Sequence, residues 1–259
     1  MKIPIYQIDA FAELPFQGNP AAVCPLDSWL PDHLLQSIAE ENNLAETAFY
    51  VPANEGYHLR WFTPTHEVDL CGHATLAAAH VLFSSIRPDS AKITFQSRSG
   101  PLHVLKNGEL LTLDFPSQSG VACETPSELV EGLGCSPIAC YRAMDYMAVF
   151  ESEAQIRAIE PDFRRLVTLD LRGVIATAPG ASVDFVSRFF APKVGVDEDP
   201  VTGSAHCMLT PYWANRLGKS NLQASQLSKR KGSLQCELQG ERVRISGRTV
   251  EYLVGTIQV

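Results

Sequence analysis

One short phrase occurs twice in this chain, first as Asp69-Leu70-Cys71-Gly72-His73-Ala74-Thr75 and again as Asp199-Pro200-Val201-Thr202-Gly203-Ser204-Ala205. In each copy a Gly and a polar residue stand directly before a helix-prone run. That arrangement opens a helix whose free N–H groups point at an anion, with Gly permitting close approach. The two starts, 131 residues apart from Gly72 to Gly203, predict two similar halves facing one small anionic substrate.

With 259 residues, the chain is long enough for two cores. Its 45% hydrophobic and 19% charged residues are a globular composition, without the polar bias of disorder. A formal charge of −8 argues against nucleic acid, whose phosphates need clustered Lys and Arg. The one dense basic run, Lys229-Arg230-Lys231, reads as a solvated turn before Gly232. Positive potential in a site must then come from helix ends and histidine. The seven cysteines are odd in number and form no CxxC pair, so a disulfide framework is not expected. No apolar run approaches the ~18 residues of a membrane span. The N-terminus begins with strand-like residues and lacks the apolar core of a signal peptide. The expectation is a reduced, cytoplasmic protein without a membrane partner.

Ile3–Phe11 and Ala21–Cys24 read as strands joined by the turn-rich Pro15-Phe16-Gln17-Gly18-Asn19-Pro20. Apolar spacing predicts an amphipathic helix over Pro31–Asn42. Short strands follow at 45–51, 57–62, 92–96, 101–105 and 110–115. Between them the run Ala74–Phe83 is apolar on every side, so this helix is expected to be wrapped by sheet. After Phe115-Pro116 the plan restarts, with helices at 126–133, 153–158 and 204–217 and strands at 146–150, 174–178, 184–190, 233–239, 242–246 and 253–259. Pro211 is expected to kink the last helix, because it cannot donate to the carbonyl of Cys207. The predicted fold class is α+β, with two pseudo-symmetric lobes, each a barrel-like antiparallel sheet around a central helix. The lobes are set at 1–115 and 116–259, with the last strand free to return to the first, and are expected to pack rigidly about a cleft.

The chain resembles the phenazine-biosynthesis PhzF-like family, which is related in fold to diaminopimelate epimerase. The resemblance runs nearly end to end. It is carried by Asp9-Ala10-Phe11, Pro15 to Ala21, Glu46-Thr47-Ala48-Phe49, Arg60-Trp61-Phe62-Thr63-Pro64 and Cys71 to Thr75. It continues in Asp114-Phe115-Pro116, Arg188-Phe189-Phe190-Ala191-Pro192 and Gly195 to Ala205. It implies a cofactor-independent proton shift in a site between the lobes, and a homodimer. Matched motif to motif, Glu46 takes the position of the family's catalytic carboxylate. His73, Asp199 and Ser204 take those of its other polar site residues, and Asn19 that of a residue on the cleft rim, although Asn19 reads equally as a turn residue.

Moving a proton at carbon needs a base of suitable pKa and donors for the electron-rich intermediate. Glu46 is the candidate base, with its pKa expected to be raised by burial. Its competing reading is a capping box in Asn43-Leu44-Ala45-Glu46, opposed by Thr47–Pro52, which does not continue a helix. His73 is the candidate donor or relay, with Asp199 as its expected carboxylate partner; a helix-capping histidine and an ordinary turn acid are the plain readings of the two. Gly72, His73, Gly203 and Ser204 suit a substrate carboxylate, and Ser204 also suits a helix cap. The related epimerases carry Cys before Gly in both phrases, where this chain has Cys71 and Thr202, so two-thiol racemisation is disfavoured and Cys71 reads as a small buried residue. His66, His73 and His80 recur every seven residues, roughly 10 Å on a helix, too far for one metal; no metal or cofactor is expected. The expected function is a proton-shifting isomerase of a small amino-acid-like or cyclic carboxylic acid; isomerisation of a dihydro-hydroxyanthranilate is the best-known reaction of the family it resembles. The alternatives are an α-carbon epimerase and a non-catalytic carboxylate binder.

Overall fold

The computed structural model describes residues 1–259 and divides into two units, one of Met1–Asp114 with Ser246–Val259, the other of Phe115–Ile245. The first begins with β1 (Lys2–Ala10), β2 (Asn19–Pro25), α1 (Asp32–Asn42), β3 (Glu46–Pro52), β4 (Tyr57–Phe62) and the short β5 (Glu67–Val68). It continues with α2 (Gly72–Val81), a π-helical turn at Leu82–Ile86, β6 (Lys92–Ser97), β7 (Gly100–Asn107) and β8 (Leu110–Pro116). The second has β9 (Val121–Cys123), α3 (Ser127–Leu133), β10 (Ala139–Arg142), β11 (Tyr146–Val149), α4 (Glu153–Ala158) and α5 (Phe163–Leu166). After these come β12 (Val174–Pro179), β13 (Phe185–Phe190), α6 (Gly203–Leu217), β14 (Asn221–Gln226), β15 (Gly232–Gln239) and β16 (Arg242–Gly247). The chain ends in β17 (Thr249–Gln258), which lies in the first unit, antiparallel to β1.

Within this α+β architecture the sheets are mixed. In the first unit β1–β2, β3–β4 and β6–β7 are antiparallel, while β2–β3 and β4–β6 are parallel. The second repeats the order: β10–β11, β12–β13 and β14–β15 antiparallel, β11–β12 and β13–β14 parallel. Each parallel pair spans a helical crossover, the connection such pairs require.

Helix α2 packs against β1, β2, β3, β7 and β17, and Ala74, Leu76, Ala77, Ala78 and Ala79 are all sealed from solvent. An all-round apolar helix is stable only when enclosed in this way. Helix α6 packs on β14 and β15. Its Trp213 stacks on Phe185 at 5.7 Å and donates its indole N–H to Thr177 Oγ1 at 3.0 Å. Pro211 lies inside α6, and the Cys207 carbonyl that it cannot serve instead accepts from the Gln118 N–H at 2.9 Å. Helix α1 ends in Asn43, held in the left-handed region at φ 48°, and the chain enters β3 at Glu46. No helix starts there, so the capping-box reading of Glu46 is corrected.

Candidate active site

Three pieces of the first unit meet at Glu46. The parallel ladder sets Glu46, at the start of β3, opposite Ala21 of β2, two residues from Asn19, the first residue of β2. Asn19 is placed by Gly18, whose φ of +66° favours glycine and where a Cβ would collide with the Ala10 carbonyl. The third piece is the start of α2, with Cys71 as N-cap and His73 as its second residue. Thr75 fixes this turn by donating its hydroxyl to the Cys71 carbonyl at 2.5 Å.

His73 is the hub of the cluster. Its Nε2 lies 3.1 Å from Glu46 Oε2, and neither atom has an aligned hydrogen-bond partner. Its Nδ1 lies 3.2 Å from Asn19 Nδ2 and 3.5 Å from Cys71 Sγ. When the ring is neutral, the amide N–H of Asn19 donates to Nδ1; on the imidazolium, Nδ1–H donates and the amide oxygen is its natural acceptor. The side chain of Glu46 is 18% exposed against 7% for His73, so the carboxylate is the more reachable of the two.

Burial by itself pushes the Glu46 carboxyl up, but the charge of His73 beside it, with help from Cys71 and His66, holds it below its ordinary value. The expected raised pKa is corrected on this ground. For His73, burial opposes the imidazolium, yet Cys71 and Glu46 together hold it well above the usual histidine range. Burial, then the charge of Glu46, pushes the Cys71 thiol up to about 11, so it is a thiol at neutral pH. The carboxylate beside His73 is thus Glu46. One ligand atom each from Glu46, Cys71 and His73 lies within 4.8 Å of the others, a donor set of the kind that holds cations. Glu46 and Cys71, however, face opposite ring nitrogens, and a cation on Nδ1 would also have to displace Asn19.

The second unit builds a different helix start from the same phrase. Thr202 is the N-cap of α6, Gly203 its first residue and Ser204 its second. Ser204 is therefore not the cap; its Oγ accepts from Arg172 Nη2 at 3.0 Å. Asp199 Oδ2 accepts from the Thr202 hydroxyl at 2.5 Å. Fully buried Gln226 ties this loop together, accepting from the Thr202 N–H at 2.9 Å and donating to the Asp199 carbonyl at 2.8 Å. His206 sits where Thr75 sits in the first copy and donates its Nδ1–H to the Thr202 carbonyl at 2.8 Å. Burial pushes it down to about 4, so it stays neutral.

Sequence reasoning missed Asp145, Arg172 and Gln226, and also a device repeated in both units. Arg60 forks onto Glu67 with two bonds of 2.7 Å and lies 5.1 Å over the Phe62 ring. Arg188 forks onto Glu198 at 2.7 and 3.0 Å and lies 4.9 Å over Phe190. The parallel spelling of Arg60-Trp61-Phe62 and Arg188-Phe189-Phe190, each followed by a glutamate ahead of the phrase, was the available signal. His80 is a packed residue, its Nδ1 2.7 Å from Thr249 Oγ1.

Residues 8–255 match the family model described as phenazine biosynthesis-like protein. The chain is 54% identical over 259 residues to an uncharacterized isomerase of Pseudomonas aeruginosa, covering 100% of both chains. A PhzF-family crystal structure from Enterococcus faecalis superposes with a TM-score of 0.98 at 48% identity, covering 100% of both chains. A hydroxyproline epimerase from Agrobacterium vitis, with trans-4-hydroxy-L-proline bound, shares the fold alone. Its TM-score is 0.63 at 10% identity, over 99% of this chain and 92% of that one.

Proposed function

Because the chain belongs to the phenazine biosynthesis-like PhzC/PhzF family, we propose that it is a cofactor-independent isomerase that moves a proton between two carbons of a small carboxylic acid. Glu46 is the proton carrier. The observation that carries this reading is the buried contact of Glu46 with His73, which leaves a deprotonated carboxylate at neutral pH beside an imidazolium. The carboxylate removes a proton from a carbon flanked by unsaturation, and the electron pair passes into the adjacent double bond. His73 stabilises the charge that develops, and the proton on Glu46 returns at the far carbon. Gly72 and the N–H groups at the start of α2 supply donors in the first unit. Asp199, Gly203 and Ser204 are assigned to the substrate through the second.

Epimerisation at an α-carbon needs two groups on opposite faces of one carbon. Near-attack distances of roughly 3–3.5 Å on each side call for donors about 6–7 Å apart. Cys71 and Glu46 are within 4.8 Å, which favours a one-base shift over a Cys–Glu pair. A pure binder of carboxylates gains nothing from a second negative charge in its site.

The test is carbon-bound deuterium followed by NMR in deuterated water, with a dihydro-3-hydroxyanthranilate and trans-4-hydroxy-L-proline as probes. Wild type is expected to incorporate deuterium at the shifted carbon of the cyclic diene acid, and Glu46→Gln to do so about 10²–10⁴-fold more slowly. Equal incorporation by the two proteins overturns Glu46 as the base.

A further inference from the structure

Ser204 is held by a cluster that no motif announces. Arg172, between α5 and β12, donates Nε and Nη2 to the two carboxylate oxygens of Asp145 at 2.9 and 2.6 Å, and the same Nη2 donates to Ser204 Oγ at 3.0 Å. Asp145 is only 3% exposed, and the guanidinium lies 5.4 Å over the ring of Phe189. The fork is therefore fixed on one side by a buried anion and on one face by an aromatic ring.

Two consequences follow from donor chemistry. A guanidinium has no acceptor, so the Ser204 oxygen must accept from it, and the Ser204 hydrogen is turned toward some other acceptor. The Asp145 bonds use the Nε–Nη2 edge of the fork, which leaves the Nη1–Nη2 edge beside Ser204. Nη1 has no hydrogen-bond partner in the fold, on a side chain 32% exposed. A hydroxyl and an Nη1 N–H thus lie next to one another at a reachable edge, with both oxygens of the nearby carboxylate already occupied. The matching ligand is a planar anion with two acceptor oxygens.

We propose that Arg172 and Ser204 form a carboxylate receptor in the second unit, with Arg172 as the residue that makes this protein select acids over their neutral analogues. Only the identification of that carboxylate as the substrate's rests on the isomerase reading. The two helix starts then have divided chemistry: the first stands beside an acid–base pair, the second beside a donor pair.

The test uses calorimetric titration of the full chain with benzoate and pyrrole-2-carboxylate, and with benzamide and pyrrole-2-carboxamide as neutral analogues. At least one acid is expected to bind wild type more tightly than its amide. Ser204→Ala and Arg172→Lys are expected to weaken acid binding about 10- to 100-fold and to leave the amide unchanged, the loss typical of a hydrogen bond to a charged group. Removing Arg172 alone strands a buried Asp145, so the paired variant Asp145→Asn/Arg172→Met removes both charges and keeps the test open if a single variant fails to fold. Its acid affinity is expected to fall to that of the amide. Unchanged acid binding in the folded variants, equal binding of acid and amide by wild type, or no acid binding at all overturns the receptor. Glu46→Gln is expected to keep acid binding while losing deuterium incorporation. Incorporation that survives in Glu46→Gln rejects the base and leaves the receptor standing.

Discussion

At Glu46, burial and charge pull in opposite directions, and charge wins because His73 is 3.1 Å away. The pH consequences have definite signs. The folded pKa of Glu46 lies below its ordinary 4.5, so its contribution to stability is present above that value and lost as pH falls through the folded pKa. The folded pKa of His73 lies well above 6.5, so its contribution is complete below 6.5 and lost as pH rises through the folded pKa. Between these limits the pair is charged. In wild type the His73 ring is expected to be an imidazolium at pH 7, as read by imidazole nitrogen NMR. In Glu46→Gln one of the two raising partners is gone, while Cys71 and the opposing burial remain. The ring is then expected to titrate below its wild-type value. A ring that keeps its wild-type titration would show that Glu46 does not hold the proton. Glu46 was legible in the sequence through its motif, but the direction of its pKa was not. That direction depends on a residue 27 positions later, brought beside it by the ladder of β2 with β3 and the start of α2.

In each unit an arginine fork ties a strand ahead of the phrase to a glutamate just before it, and the two forks have unequal duties. Arg60 holds Glu67 and reaches the exposed Asp32 at 2.9 Å. Arg188 holds Glu198 and also donates Nη1 to the carbonyls of Ile156 and Ile159, at 3.3 and 2.7 Å, where α4 ends. Truncating Arg188 leaves the Glu198 carboxylate and the Ile159 carbonyl without that donor, the Ile156 carbonyl keeping the Ile159 N–H at 3.4 Å; truncating Arg60 leaves Glu67 still paired with Arg98 at 2.7 Å and Asp32 in solvent. Arg188→Met is therefore expected to cost about 3 kcal/mol in denaturant unfolding, and Arg60→Met about 1–2 kcal/mol. The reverse order would assign α4 some other support. The sequence showed these elements where periodicity was strong. Helix α2 was expected from Ala74 and starts at Gly72, and α1 was expected from Pro31 and starts at Asp32. The Asp145–Arg172–Ser204 cluster was not visible. Its members come from three separate segments, and neither Asp145 nor Arg172 belongs to a repeated phrase or a periodic run.

Across the whole chain the two units share one pairing order, and they also share a detail at its edge. β9, the strand after β8, pairs with β10 at the edge of the second unit; β17, the strand after β16, pairs with β1 at the edge of the first. The first unit therefore takes an edge strand from Thr249–Gln258, beyond the whole second unit in sequence, and its fold depends on that segment. Thermodynamically the dependence is uneven along β1. Tyr6–Ala10 pair with both β2 and β17, whereas Lys2–Ile5 have β17 alone. Deleting Thr249–Val259 is expected to strip hydrogen-exchange protection from the amides of Ile3 and Ile5 while leaving Ile8 partly protected by β2. The amides of β12 and β13, whose ladders lie wholly in the second unit, are expected to keep theirs. The deletion also uncovers a nine-residue strand edge carrying Ile3, Ile5 and Ile8, so the shortened chain is expected to associate through it. Protection of Ile3 and Ile5 that survives the deletion would mean that β1 is held by its own packing and not by the returning strand.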